Sequence, residues 1–110
     1  MAFYLISQLT TYQTNMPGLS LPSNRTTNLA VYTSLKTAYE QGLHYFKQIM
    51  LEDDITTYTL ADVKKALTDD ARAIIGQEIL TNYVPSDPKL KTSQLTQIVI
   101  QKFQKDTFLY

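Results

Sequence analysis

The stretch NLAVYTSLKTAYEQGLHYFKQIML, residues 28–51, decides how the chain reads. At about 100° per residue, Leu29, Tyr32, Leu35, Tyr39, Leu43, Phe46 and Met50 fall on one stripe of a helix. Val31, Leu35, Ala38, Gly42, Tyr45 and Ile49 fall on a second stripe beside it, at the alternating four- and three-residue steps of a heptad seam. Thr33, Ser34, Thr37, Glu40, Gln41, His44 and Gln48 take the remaining arc, with Lys36 and Lys47 at its border. The pattern predicts one long amphipathic helix over 28–51, with an apolar surface wider than a helix on a single core needs. The bulky stripe is expected to be core. The leaner one contains Ala38 and Gly42, small residues four apart that let another backbone come close. Val31, Ala38, Gly42, Tyr45 and Ile49 are therefore candidate interface residues.

Towards the N-terminus, Leu5, Leu9 and Tyr12 fit a helical spacing better than a period of two, predicting a short helix within residues 2–14. Residues 15–27, NMPGLSLPSNRTT, read as a loop with turn signals at Pro17-Gly18 and Pro22-Ser23-Asn24. Thr27 or Asn28 is expected to cap the central helix by accepting from an orphan amide.

Towards the C-terminus, three carboxylates, Glu52, Asp53 and Asp54, oppose the macrodipole of a helix end and favour a break. Residues 55–58, ITTY, are short, β-prone and expected to be extended. Thr59 then caps a second helix over 59–84, with Asp62 reaching back as a capping box. Its stripe of Leu60, Val63, Leu67, Ala71 and Ile74 drifts after Gly76, which predicts a wrap or a bend there. Residues 84–88, VPSDP, form a rigid connector, and Thr92 or Ser93 caps a last helix over 93–107. The β propensity of residues 97–101, QIVIQ, leaves a strand open as the alternative there. Phe108, Leu109 and Tyr110 are expected to dock on the core or a partner and complete the candidate interface set.

The expected fold is thus all-α: a single domain, 1–110, built as a small helical bundle of three main helices with a short N-terminal helix. The chain has no cysteine, which excludes disulfides, thiolate metal sites and cysteine nucleophiles. Ten basic and ten acidic residues cancel, so no nucleic-acid partner is expected. By segment the net charges are +2 over 1–51, −4 over 52–84 and +2 over 85–110, a pattern that allows head-to-tail pairing of subunits. The residues MAFYLISQL lack the basic start and apolar length of a signal peptide, and no window suits a membrane span. A cytoplasmic protein is expected, or a virion component if the chain is phage-encoded.

No chemistry converges. His44 is the only histidine and has only Glu40, one turn earlier, as a potential partner. The acidic pairs Asp53-Asp54 and Asp69-Asp70 lack the glycine-turned oxygen-rich loop of a hard-cation site. Gly18, Gly42 and Gly76 are scattered and form no phosphate-cradling loop. No catalytic residue, metal or cofactor is assigned, and an enzyme is not expected.

In size and expected helical content the chain resembles small bacteriocin immunity proteins. Residues 59–67, TLADVKKAL, give it a resemblance to small helical adaptor and connector proteins of tailed phages. These are likenesses of size and fold, which do not establish function. The expected function is non-enzymatic: an assembly or adaptor protein acting through protein–protein contacts, homo-oligomeric or part of a larger assembly, such as a phage head–tail connector. The alternatives are an immunity or inhibitor protein that binds a toxin or its receptor, and a small DNA-binding regulator.

Overall fold

A computed structural model describes residues 2–16, 19–50, 54–84 and 86–104. In chain order its elements are β1 (Ala2–Met16), β2 (Leu19–Tyr32), α1 (Leu35–Ile49), β3 (Ile55–Thr57), α2 (Leu60–Asp69), β4 (Arg72–Val84) and β5 (Asp87–Gln104). The strands make one antiparallel sheet in the order β2-β1-β5-β4-β3. Both helices contribute to one core cluster on one face of it. This corrects the all-α expectation: the molecule is α+β, with two helices laid on a sheet, and is not a helical bundle.

The reasons lie in particular residues. In β1, register and alternation send Tyr4, Ile6, Gln8 and Thr10 to the helix side, and Phe3, Leu5, Ser7 and Leu9 to the other. Both faces carry apolar residues, so the period of two is hidden, and the spacing of Leu5, Leu9 and Tyr12 only imitates a helix. The expected loop at 15–27 is mostly strand. Its Pro17-Gly18 turn signal lies outside the described residues, and Met16 is paired with Leu19.

The expected central helix joins two elements. Residues 28–32 end β2, where the run Ala30-Val31-Tyr32 favours a strand. The helix begins at Leu35, capped by Ser34, whose Oγ accepts from the Thr37 amide at 3.4 Å, and not by Thr27 or Asn28. The helix ends at Ile49; of the three carboxylates expected to break it, Glu52 and Asp53 lie outside the described residues and Asp54 stands past the helix with a φ of 47°.

The capping box is as read. Thr59 Oγ1 accepts from the Asp62 amide at 3.2 Å, and Asp62 Oδ2 accepts from the Thr59 amide at 3.2 Å and its hydroxyl at 2.8 Å. The extended stretch expected before it contains β3. The second helix, however, stops at Asp69, and the drift of its stripe marks a change of period from 3.6 to 2 as β4 begins. The expected last helix over 93–107 is β5 as far as Gln104, and residues 105–107 lie outside the described residues. Thr92 and Ser93 cap nothing and sit inside the strand, and the β-prone QIVIQ run lies in mid-sheet.

Three cross-strand rows on the helix side organise the interior. Ala30, Ile6, Ile100 and Ala73 form an apolar row. Thr27, Gln8, Ile98 and Gly76 form the next, beside the extra residue Ile75 at a register shift in β4. Arg25, Thr10, Thr96 and Glu78 form a polar third. Phe46 of α1 is 1 % exposed and lies on Gly76, where an added Cβ would stand 2.7 Å from the ring Cδ2. A glycine is needed there because the ring occupies the space a side chain would fill. Val63 and Leu67 of α2 join the same cluster. Tyr39 ties α1 to the segment before α2 by donating to the Tyr58 carbonyl at 2.8 Å, and the Tyr58 amide donates to the Ile75 carbonyl at 3.1 Å.

Candidate functional site

The stripe singled out in α1 is split by the fold. Ala38 is fully buried, and Gly42 is buried with Ile75 Cδ1 so near that a Cβ at position 42 would collide with it. The close approach that these small residues allow is made by the sheet of the same chain. Tyr45 is half-buried beside Tyr32. Partial desolvation first, and then hydrogen bonding and charge from Tyr45, hold the Tyr32 phenol above its ordinary pKa. Ile49 is exposed at the end of the helix, and Val31 is exposed on β2. The fold therefore does not bring Val31 together with Ala38 and Gly42, because Val31 points away from the helices. Phe108, Leu109 and Tyr110 lie outside the described residues.

The helix-free face of the sheet is what sequence reasoning missed. Register places Phe3, Leu5, Ser7 and Leu9 of β1 there, against Phe103, Gln101, Val99 and Gln97 of β5. On β4, Ile74 lies beside Val99 and Ile79 beside Leu95. On β2, Val31 lies beside Leu5 and Asn28 beside Ser7, whose hydroxyl donates to Asn28 Oδ1 at 3.2 Å. Val31 is 58 % exposed and Ile79 44 %, while Val99 at the centre is 4 % exposed yet stands apart from the core cluster. Leu9, Ala73, Ile74, Gln97 and Val99, with the charged Asp70 and Arg72, line a shallow concavity of about 310 Å³. Arg72 is the one charged side chain that register places on this face among residues whose side chains are described. Among the described residues no element packs over it. No plain alternation marks this face in QLTTYQ, ILTNY or QLTQIVIQ, because apolar residues fall on both phases.

On the helix side, Gln8, Glu78, Gln94 and Thr96 line a cavity of about 60 Å³, closed by Ile49, Met50 and Leu80. It is water-sized. His44 and Glu40 are both exposed on α1. Among the described residues no group of three or more metal-ligating side chains converges, and no helix is long and apolar enough to cross a membrane. Asp62 has a lowered pKa. Hydrogen bonds from the Thr59 side chain and backbone lower its pKa, with a smaller contribution from Lys65.

Among the described residues the helix-free side of the sheet is a partly apolar face with Asp70 and Arg72 beside its concavity. No protein-family model matches the chain, and a search of curated proteins finds no match to its sequence.

Proposed function

We propose that this chain is a non-enzymatic assembly or adaptor protein that works through protein–protein contacts, with the helix-free sheet face as a principal contact surface. One observation carries the reading: Leu5, Leu9, Ile74, Ile79, Leu95, Val99 and Val31 share a face on which no described element packs. An antiparallel sheet with one solvated face ordinarily alternates apolar and polar residues. Here both phases carry apolar residues, as they do in a sheet covered on both sides. Contiguous apolar surface of this kind marks interaction sites.

The test is size-exclusion with light scattering over a concentration series, on the chain alone and with the products of adjacent genes. A complex larger than one chain is expected. Val31→Glu combined with Leu9→Glu should reduce it to folded monomer, because a carboxylate stranded in an apolar interface has no partner. A native chain that stays monomeric and co-elutes with none of those products would sink the proposal. Membership of a larger particle, such as a phage or viral connector, is an extension of the same proposal, supported by the contact surface alone. Terminase and portal genes beside this one would favour it. A small cationic peptide gene in that place would favour an immunity or inhibitor protein instead.

A further inference from the structure

The two edges of the sheet are built differently. β2 forms one edge and carries three features that discourage another strand. Pro22 has no amide to donate, Arg25 adds a charge, and the register shift at Leu29 bends the ladder. The opposite edge is only partly closed. β3 covers β4 at Gly76, Gln77 and Glu78 and goes no further. Past that point β4 continues to Val84 with no strand among the described residues on its outer side. Residues 79–83, ILTNY, which precede a register shift at Tyr83/Val84, contain no charge, no proline and no glycine, and Ile79, Thr81 and Tyr83 are β-branched or aromatic. A long, uncharged, β-prone edge with open amides and carbonyls is a template for another strand.

We propose that residues 79–83 of β4 pair with the same residues of a second copy of this chain, joining two sheets into one. This rests on the assembly reading and names one of its contacts. Three features select a second copy. A two-fold axis perpendicular to the sheet makes a strand antiparallel to its own copy, the orientation of every pairing in this sheet. Opposed residues must project to the same face, so the axis passes through a residue pair. Centred on Thr81, it sets Ile79 against Tyr83, Leu80 against Asn82 and Thr81 against itself. Val84 would then oppose Glu78, which β3 already covers, so the slot closes where the ladder must stop. Finally, no charged residue meets another across the axis, and the chain's net charge of zero adds no long-range repulsion.

The cysteine-free sequence makes the test direct. Thr81→Cys, an exposed position at the proposed axis, should form a covalent dimer under mild oxidation. Thr26→Cys, exposed on the guarded edge, should stay uncrosslinked under the same conditions. Thr81→Lys sets two like charges face to face and should weaken dimerisation at least about tenfold by sedimentation, with an unchanged far-ultraviolet spectrum. Crosslinking at Thr81 no faster than at Thr26, or undiminished dimer affinity in Thr81→Lys, overturns the edge pairing. If a complex sensitive to Val31→Glu and Leu9→Glu survives that result, the edge pairing alone has failed. A wild-type chain that is monomeric and binds no neighbouring gene product fails both.

Discussion

The seating of the Phe46 ring on Gly76 can be tested by a change of sign. Gly76→Ala puts a methyl 2.7 to 2.9 Å from three ring carbons, closer than packed atoms come. The ring is 1 % exposed and held on its other sides by α1 and the sheet, so it cannot swing into solvent. Overpacking of this kind costs about 1–3 kcal/mol. Phe46→Ala removes the ring and leaves a cavity, at about 3–5 kcal/mol. With the ring gone, the same methyl at position 76 enters empty apolar space. There it contributes about 0.8 kcal/mol of burial and about 0.4–1 kcal/mol from a less flexible unfolded chain. Gly76→Ala should therefore destabilise the wild type and stabilise Phe46→Ala, with a coupling of about 2–5 kcal/mol. Urea denaturation of the four proteins of the cycle measures this directly. Where Phe46→Ala leaves too little folded protein, Phe46→Leu takes its place in the cycle. An equal cost of Gly76→Ala in both backgrounds would refute the seating of the ring, and with it the packing of α1 on the bulged part of β4.

Other tests address single contacts. Tyr39→Phe removes the hydrogen bond to the Tyr58 carbonyl and should cost about 1 kcal/mol in chemical denaturation; an unchanged midpoint would mean that water replaces the hydroxyl at no cost. Thr59→Ala removes the side-chain half of the capping box and should lower the melting temperature by a few degrees, with α2 losing helicity first. The lowered pKa of Asp62 fixes the sign of a pH effect. Its contribution to stability is present above the unfolded aspartate value of about 4 and is lost as pH falls through the lower folded value. The melting temperatures of wild type and Thr59→Ala should thus converge on acidification below about pH 4, and a constant gap down to pH 2 would contradict the linkage.

What was legible in the sequence was local. Thr59 and Asp62 specify their capping box within one turn, and residues 55–58 are extended by their own propensity. Ala38 and Gly42 leave space beside α1, and at Gly42 it is the Ile75 side chain, not another backbone, that enters it. What fills it, Ile75, belongs to a strand 33 positions beyond Gly42, and no local pattern specifies that partner. The helix ends were misplaced where apolar residues run on across a boundary. Leu29 and Tyr32 belong to β2, yet they continue the stripe that Leu35 and Tyr39 carry in α1, and both sets pack on the same core. A wheel drawn through 28–51 registered one shared environment and read it as one element. Of the candidate interface, Val31 and Ile49 are exposed and Ala38 and Gly42 are buried, because α1 turns its small-residue side to the sheet.

Apolar residues on both phases of β1, β4 and β5 hide the period of two and also populate the helix-free face. Had β1, β4 and β5 alternated polar with apolar residues, their period of two would have been plain, and the helix-free face would have been a solvated surface. Instead Leu5 and Leu9 project opposite to Tyr4 and Ile6, and Val99 projects opposite to Ile98 and Ile100. Near-continuous apolar runs are the composition of strands covered on both sides. α1 and α2 cover one side. The residues that hid the sheet are therefore the ones that call for a second cover, and they are interspersed with Ser7, Thr11, Gln97 and Gln101, which can satisfy hydrogen bonds at an interface as well as in water. A face built only to seal an interior would have little use for that mixture. Under the proposed reading that mixture suits a contact surface between separately folded chains, which must be tolerated in water before it is covered.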